Sequence, residues 1–182
     1  MRPSRGDRVA PIPMDDEQGG AVLHLPEPVV AETERLLRTY GGGEPHEGIV
    51  YLGGVEVGGQ AVVLSALSPA AETTWGSFRT DLAANTEVVQ ALDRLRLVLV
   101  GQVHSHPGTW VDHSDGDDEG ALVRFEGYWS LVVPVFAREG LCPLERCGVH
   151  RFQRGRFERL TVAALNARVQ VVPPSVDLRR QQ

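Results

Sequence analysis

Two histidines, His104 and His106, stand directly before Pro107, and Ser114 and Asp117 follow after a six-residue interval. Two imidazoles, a hydroxyl and a carboxylate thus fall within fourteen residues. Upstream, Glu47 adds a further acid. A single catalytic zinc ion needs such a set: three protein ligands, here His104, His106 and Asp117, with the fourth position left to water. Zinc lowers the pKa of its bound water to about 7, and another group must take the proton and return it to the leaving amine. Glu47 is the candidate for that general acid/base role. Ser114 can donate a hydrogen bond to the developing oxyanion. The chemistry these residues permit is hydrolysis of an amide bond.

Each residue also has a plainer reading. His-x-His suits two surface histidines on a loop, and Ser-x-x-Asp suits a helix N-cap with an acid in the first turn. Glu44 competes with Glu47 as the base. Asp112, Asp115, Asp118 and Glu119 compete as ligands or form a solvated acidic loop. His113 is expected outside the ligand set. Trp110 either touches a substrate or plugs the loop between the ligands.

The elements around these residues decide whether they can meet. Residues 97–103 form a nearly unbroken apolar run, as a central strand buried on both faces requires. Side chains two apart on a strand share a face about 6.5 Å apart, so this strand delivers His104 and His106 together. Pro107 cannot continue the ladder and marks the change to loop. Residues three apart on a helix also share a face, so a short helix over 114–125 can turn Ser114 and Asp117 towards the histidines. The remaining pattern predicts helices over 28–40 and up to about residue 96, and strands over 49–57, 61–67 and 129–136. Residues 149–160 read as a hairpin around Arg154-Gly155, and 68–80 as less regular. The order α-β-β-α-β-α-β-β-β implies an α/β domain over 23–172, a single mixed curved sheet flanked by helices. Residues 1–22 and 173–182 read as flexible tails.

At 182 residues with 42% apolar content, the chain has material for one domain with a proper core. A formal charge of −6 argues against a nucleic-acid partner. No apolar run approaches the roughly 18–20 residues of a membrane span, and none near the start reads as a signal peptide, so the expected compartment is the cytoplasm. All 18 basic residues are arginine. Genomic bias explains this, as does work beside a lysine-modifying system. Cys142, Cys147 and His150 are either the start of a second metal site or two reduced thiols and a histidine.

The run Gly101-Gln102-Val103-His104-Ser105-His106-Pro107-Gly108, followed by Ser114 and Asp117, resembles the JAMM signature of the Mov34/MPN/PAD-1 metalloproteases. That signature is His-x-His-Pro, six residues, Ser-x-x-Asp. The family's upstream segment, Glu-x-x-Gly-x-Leu-x-Gly, is matched by Glu47, Leu52 and Gly54, with Val50 where the first glycine is usual. The resemblance implies an MPN/JAB sheet with a cytidine-deaminase-like layout. It assigns zinc to His104, His106 and Asp117, acid/base work to Glu47 and transition-state stabilisation to Ser114. It implies cleavage after the Gly-Gly-type tail of a ubiquitin-like protein, in company with activating and conjugating enzymes, in the manner of the prokaryotic branch. The alternatives are a processing peptidase for a sulfur-carrier protein and a catalytically silent MPN scaffold.

Overall fold

The computed structural model describes residues 21–114, 116–117 and 122–175. Its elements in chain order are β1 (Val22–Pro26), α1 (Glu27–Leu37), β2 (Ile49–Val57), β3 (Gln60–Leu67), β4 (Glu72–Thr74), β5 (Ser77–Arg79), α2 (Leu82–Leu95), β6 (Val98–Ser105), β7 (Trp129–Val133), β8 (Gly148–Gln153), β9 (Arg156–Arg159), α3 (Val162–Arg168) and β10 (Val169–Val172). Eight strands make one mixed sheet in the order β10-β1-β3-β2-β6-β7-β8-β9, and β4 pairs with β5 as a separate hairpin. The expected α/β architecture, a curled mixed sheet flanked by helices, is the one observed.

Alternation along β2 sets the two layers. Val50 and Leu52 face a core shared with Val30 and Leu37 of α1, Leu165 of α3, and Val100 and Val103 of β6. Ile49 and Tyr51 face the other side, where Val88 and Leu92 of α2 cover them. Full burial of a side chain such as Leu37 contributes about 1.5–3 kcal/mol. The helices start where their side chains allow. Pro28 sits in the first turn of α1, where its missing N–H costs nothing. The Asp81 carboxylate accepts the Ala84 N–H at 2.8 Å to begin α2, and Thr161 does the same for Ala164 at the start of α3.

Several boundaries differ from the sequence reading, each for a physical reason. β1 and β10 were not expected, and they pair in parallel with Leu23 opposite Val169. The hairpin β4–β5 forms inside the stretch read as less regular. α1 ends at Leu37 rather than residue 40, and the chain passes through hydrogen-bonded turns to Gly41 and Gly42, both at positive φ. β7 stops at Val133 because Pro134 follows. The apolar Val135, Phe136 and Ala137 form a left-handed turn, with φ of 53°, 53° and 56°. Gly116 and Asp117 are helical, but Leu122–Phe125 are not, so the helix expected over 114–125 does not reach its predicted end. The expected tails lie outside the described residues except at 21–22 and 173–175, as do Asp115, Asp118 and Glu119. Among the described residues no helix is long and apolar enough to cross a membrane.

Candidate active site

β6 carries its last residues to the edge of a cleft of about 530 Å³. His104 and His106 leave the strand on one face, fully and nearly fully buried. The loop from Pro107 returns the chain so that Asp117, in the first helical turn after Ser114, meets them. His104 Nε2 and His106 Nε2 are 3.2 Å apart. Asp117 Oδ1 lies 3.5 Å from His104 Nε2, and its Oδ2 lies 3.4 Å from His106 Nε2. Bonds of about 2.0–2.1 Å to a tetrahedral ion place its ligand atoms about 3.3–3.4 Å apart. The two imidazole nitrogens thus stand at the spacing of two ligands on one such ion, and each has an Asp117 carboxylate oxygen at a similar distance, so the donor set fits a divalent metal.

The surroundings orient these three side chains. His106 Nδ1 donates to the Trp110 carbonyl oxygen at 2.9 Å, which leaves Nε2 as the bare donor atom. The Ser114 N–H and hydroxyl donate to Asp117 Oδ2 at 2.7 and 2.8 Å, and the Ser114 hydroxyl accepts the Asp117 N–H at 3.1 Å. This is the reciprocal bonding of an N-cap, so the capping reading of Ser-x-x-Asp holds, and it leaves Asp117 beside the two histidines. The left-handed turn at 135–137 grips the loop from below. The N–H groups of Val135 and Phe136 donate to the carbonyls of Gly108 and His106 at 3.1 and 2.8 Å. Left-handed backbone costs an L-residue about 1–2 kcal/mol, and here it is spent where it fixes a ligand segment. On the far side, a Cβ at Gly148 of β8 would overlap the Val111 carbonyl oxygen, so only glycine lets the loop pack there.

Glu47 lines this cleft beside the end of β6, at 6% exposure. Its N–H donates to the Thr74 carbonyl of β4 at 2.9 Å. The next residue is tied to β6, with Gly48 N–H donating to Ser105 Oγ at 3.0 Å and the Gly48 carbonyl accepting the Ser105 N–H at 3.1 Å. Trp75, Phe78, Trp110 and Ser114 line the same cleft as Glu47, His106 and Asp117. Glu44 lines a different hollow and is exposed.

Charge follows this geometry. Burial pushes the Glu47 carboxyl up to about 7, with His106 opposing and Asp117 reinforcing the shift. Burial alone would raise Asp117, but its hydrogen bonds to His104 and His106, the charge of His104 and the Ser114 N–H hold it well below the carboxylate range. Burial keeps His104 below the usual imidazole value despite Asp117. Burial acts the same way on His106, yet Asp117, the Trp110 carbonyl and Glu47 carry it above.

The described residues hold one group of three or more His, Cys, Asp or Glu side chains able to share an ion: His104, His106 and Asp117. Cys142 is exposed while Cys147 is buried and donates to the Leu141 carbonyl, and neither gathers with His150. The second metal site is therefore absent among the described residues. His113 lies outside the group of His104, His106 and Asp117, with Nε2 2.8 Å from Ser130 Oγ. Ser130 in turn accepts from the Gln102 amide at 3.3 Å. Sequence reasoning missed Gln102, Ser105 and Ser130. Their signal was a polar residue inside an otherwise apolar run, which a buried strand tolerates only with a partner.

No protein-family model matches the chain. It is 34% identical over 119 residues to the probable metalloprotease y4jG of Sinorhizobium fredii, an alignment covering 63% of this chain and 72% of that protein. Its fold is similar to the solution structure of protein DSY2949 from Desulfitobacterium hafniense, with a TM-score of 0.60 at 17% identity over 84% of this chain and 94% of that one.

Proposed function

The chain belongs to the family of the Sinorhizobium fredii probable metalloprotease, and from that membership we propose that it is a zinc-dependent JAMM-type peptidase. Its substrate in this proposal is the bond after the C-terminal tail of a ubiquitin-like protein, in a conjugate or a precursor. The observation that carries the metal chemistry is the convergence of His104 Nε2 and His106 Nε2, 3.2 Å apart, on the Asp117 carboxylate, whose Oδ1 and Oδ2 lie 3.5 and 3.4 Å from them respectively. The observation that favours a bond inside a longer chain is the cleft lining. No arginine is among the described residues that line it, which leaves no guanidinium among them for the free carboxylate of a leaving amino acid.

Zinc bound by His104, His106 and Asp117 supplies Lewis acidity and brings the pKa of a water molecule to about 7. Glu47, buried in the lining of the cleft, accepts the proton of the attacking water and passes it to the departing amine nitrogen. Its raised pKa suits both halves of that transfer. Ser114 lines the cleft while its hydroxyl donates to Asp117. To stabilise an oxyanion it turns that proton to the substrate, and the Ser114 N–H keeps Asp117 in place.

The test is incubation of the purified protein with linear fusions and isopeptide conjugates of ubiquitin-like proteins, read by mass spectrometry. Cleavage directly after the modifier tail, abolished by a chelator and by Glu47→Gln, is the expected result. A metal-loaded protein that leaves the whole panel intact would overturn the substrate assignment. Activity that survives complete chelation would overturn the metal chemistry.

A further inference from the structure

One residue holds the His106 ring from two directions. Its backbone carbonyl accepts the Nδ1 proton at 2.9 Å. Its indole lies nearly parallel to the imidazole, with ring centroids 5.2 Å apart and planes 14° apart. That residue, Trp110, is 54% exposed, so burial does not choose its orientation. Gly108 and Thr109, before it, face solvent, and a Cβ at Gly108 would touch nothing within 4 Å. The near end of the loop is clamped by Val135 and Phe136, and the Trp110–His106 stack secures the next turn of chain.

We propose that Trp110 is a positioning residue that tightens divalent-metal binding by fixing the tautomer and ring plane of His106. The inference rests on the metal-site reading above. The indole keeps the carbonyl in register with Nδ1, and the carbonyl keeps Nε2 free of its proton. The stack also responds to the metal. An imidazole that gives its lone pair to a cation becomes electron-poor, and the π-face of an indole attracts such a ring. The contact is therefore stronger in the metal-bound protein than in the metal-free one, and that difference appears as affinity.

The experiment is competition for Zn²⁺ against a chromophoric chelator, with Co²⁺ absorption spectra, on the full chain as wild type, Trp110→Phe and Trp110→Ala. Because the side chain is half exposed, both variants are expected to fold, as far-ultraviolet circular dichroism will report. Trp110→Ala should weaken Zn²⁺ binding about tenfold, the low end of what an outer-shell partner typically contributes. It should also change the Co²⁺ ligand-field bands. Trp110→Phe should recover most of the loss, because a phenyl ring can stack in the same place. Equal affinity and unchanged bands in Trp110→Ala would overturn the proposal, as would a Trp110→Phe variant as weak as Trp110→Ala. Wild type that binds no zinc would instead remove the metal-site reading beneath it.

Discussion

Two pairs of imidazoles lie against each other in this protein, and their carboxylates separate them. His104 and His106, ring centroids 5.0 Å apart, share Asp117. His113 and His150, 4.5 Å apart, have Asp112 nearby, 3.8 Å from His150 Nε2. Asp112, however, already accepts from the Arg159 guanidinium at 2.9 Å. Among the described residues no arginine pairs with Asp117, whose partners are the two histidines and Ser114. A carboxylate held ionised beside two imidazole nitrogens, with no fixed cation, is half of a metal site. One neutralised by arginine is finished. Proximity of histidines is thus a poor guide, and the charge left over is a better one.

The largest effect should come from exchanging the carboxylates' fates. Asp117→Ala should lower zinc affinity by more than the about 10–100-fold typical of losing an outer-shell partner, since a ligand itself is removed. Asp112→Ala should leave affinity unchanged in the same chelator competition. Comparable losses would mean that the two pairs are not distinct.

Glu47→Gln should keep the metal and lower kcat by about 10²–10⁴-fold, the usual worth of a positioned general acid/base. A fully active Glu47→Gln would move the proton transfer to another group, with Glu44 the first alternative.

His150 sharpens the contrast through stability. Both its ring nitrogens lack hydrogen-bond partners among the described residues, and it is 2% exposed. Burial, with the charge of His113, drives it down to about 3 from an ordinary 6.5. The unfolded chain therefore takes up a proton below about pH 6.5 that the folded chain refuses until about pH 3. Folding stability falls over that window by about 1.4 kcal/mol per pH unit. His150→Phe should flatten the acid limb of a urea-denaturation series by that slope. An unchanged limb would show that His150 finds its proton in the fold.

The smallest effect is a shift in titration. In the metal-free protein the Glu47 carboxyl should titrate near pH 7 by ¹³C NMR, because burial favours its neutral form. Zinc should lower that value, since a nearby cation favours the carboxylate. No movement on loading would separate Glu47 from the ion.

The site was more legible in the sequence than the fold's margins. His104 and His106 could be placed because the apolar run before them reads as a central strand, which the structure buries from Val100 onward while Val98 stays exposed, and Pro107 shows where it ends. β1 and β10 escaped notice because each is short and they pair with each other from opposite ends of the chain, β1 also bonding to β3. α3 spans seven residues, about two turns, too few for a helical period to show. The turn at 135–137 was hidden for another reason. Val135 and Phe136 have the composition of a strand, and no glycine announces their left-handed backbone. Only the hydrogen bonds to His106 and Gly108 make sense of it.

The central claim is that His104, His106 and Asp117 hold one four-coordinate ion, and X-ray absorption at the zinc edge of the loaded protein tests it most directly. The account predicts a first shell of nitrogen and oxygen alone at about 2.0–2.1 Å, with the multiple scattering of two imidazoles. A sulfur scatterer at about 2.3 Å would contradict it, placing the metal on Cys142 or Cys147 instead.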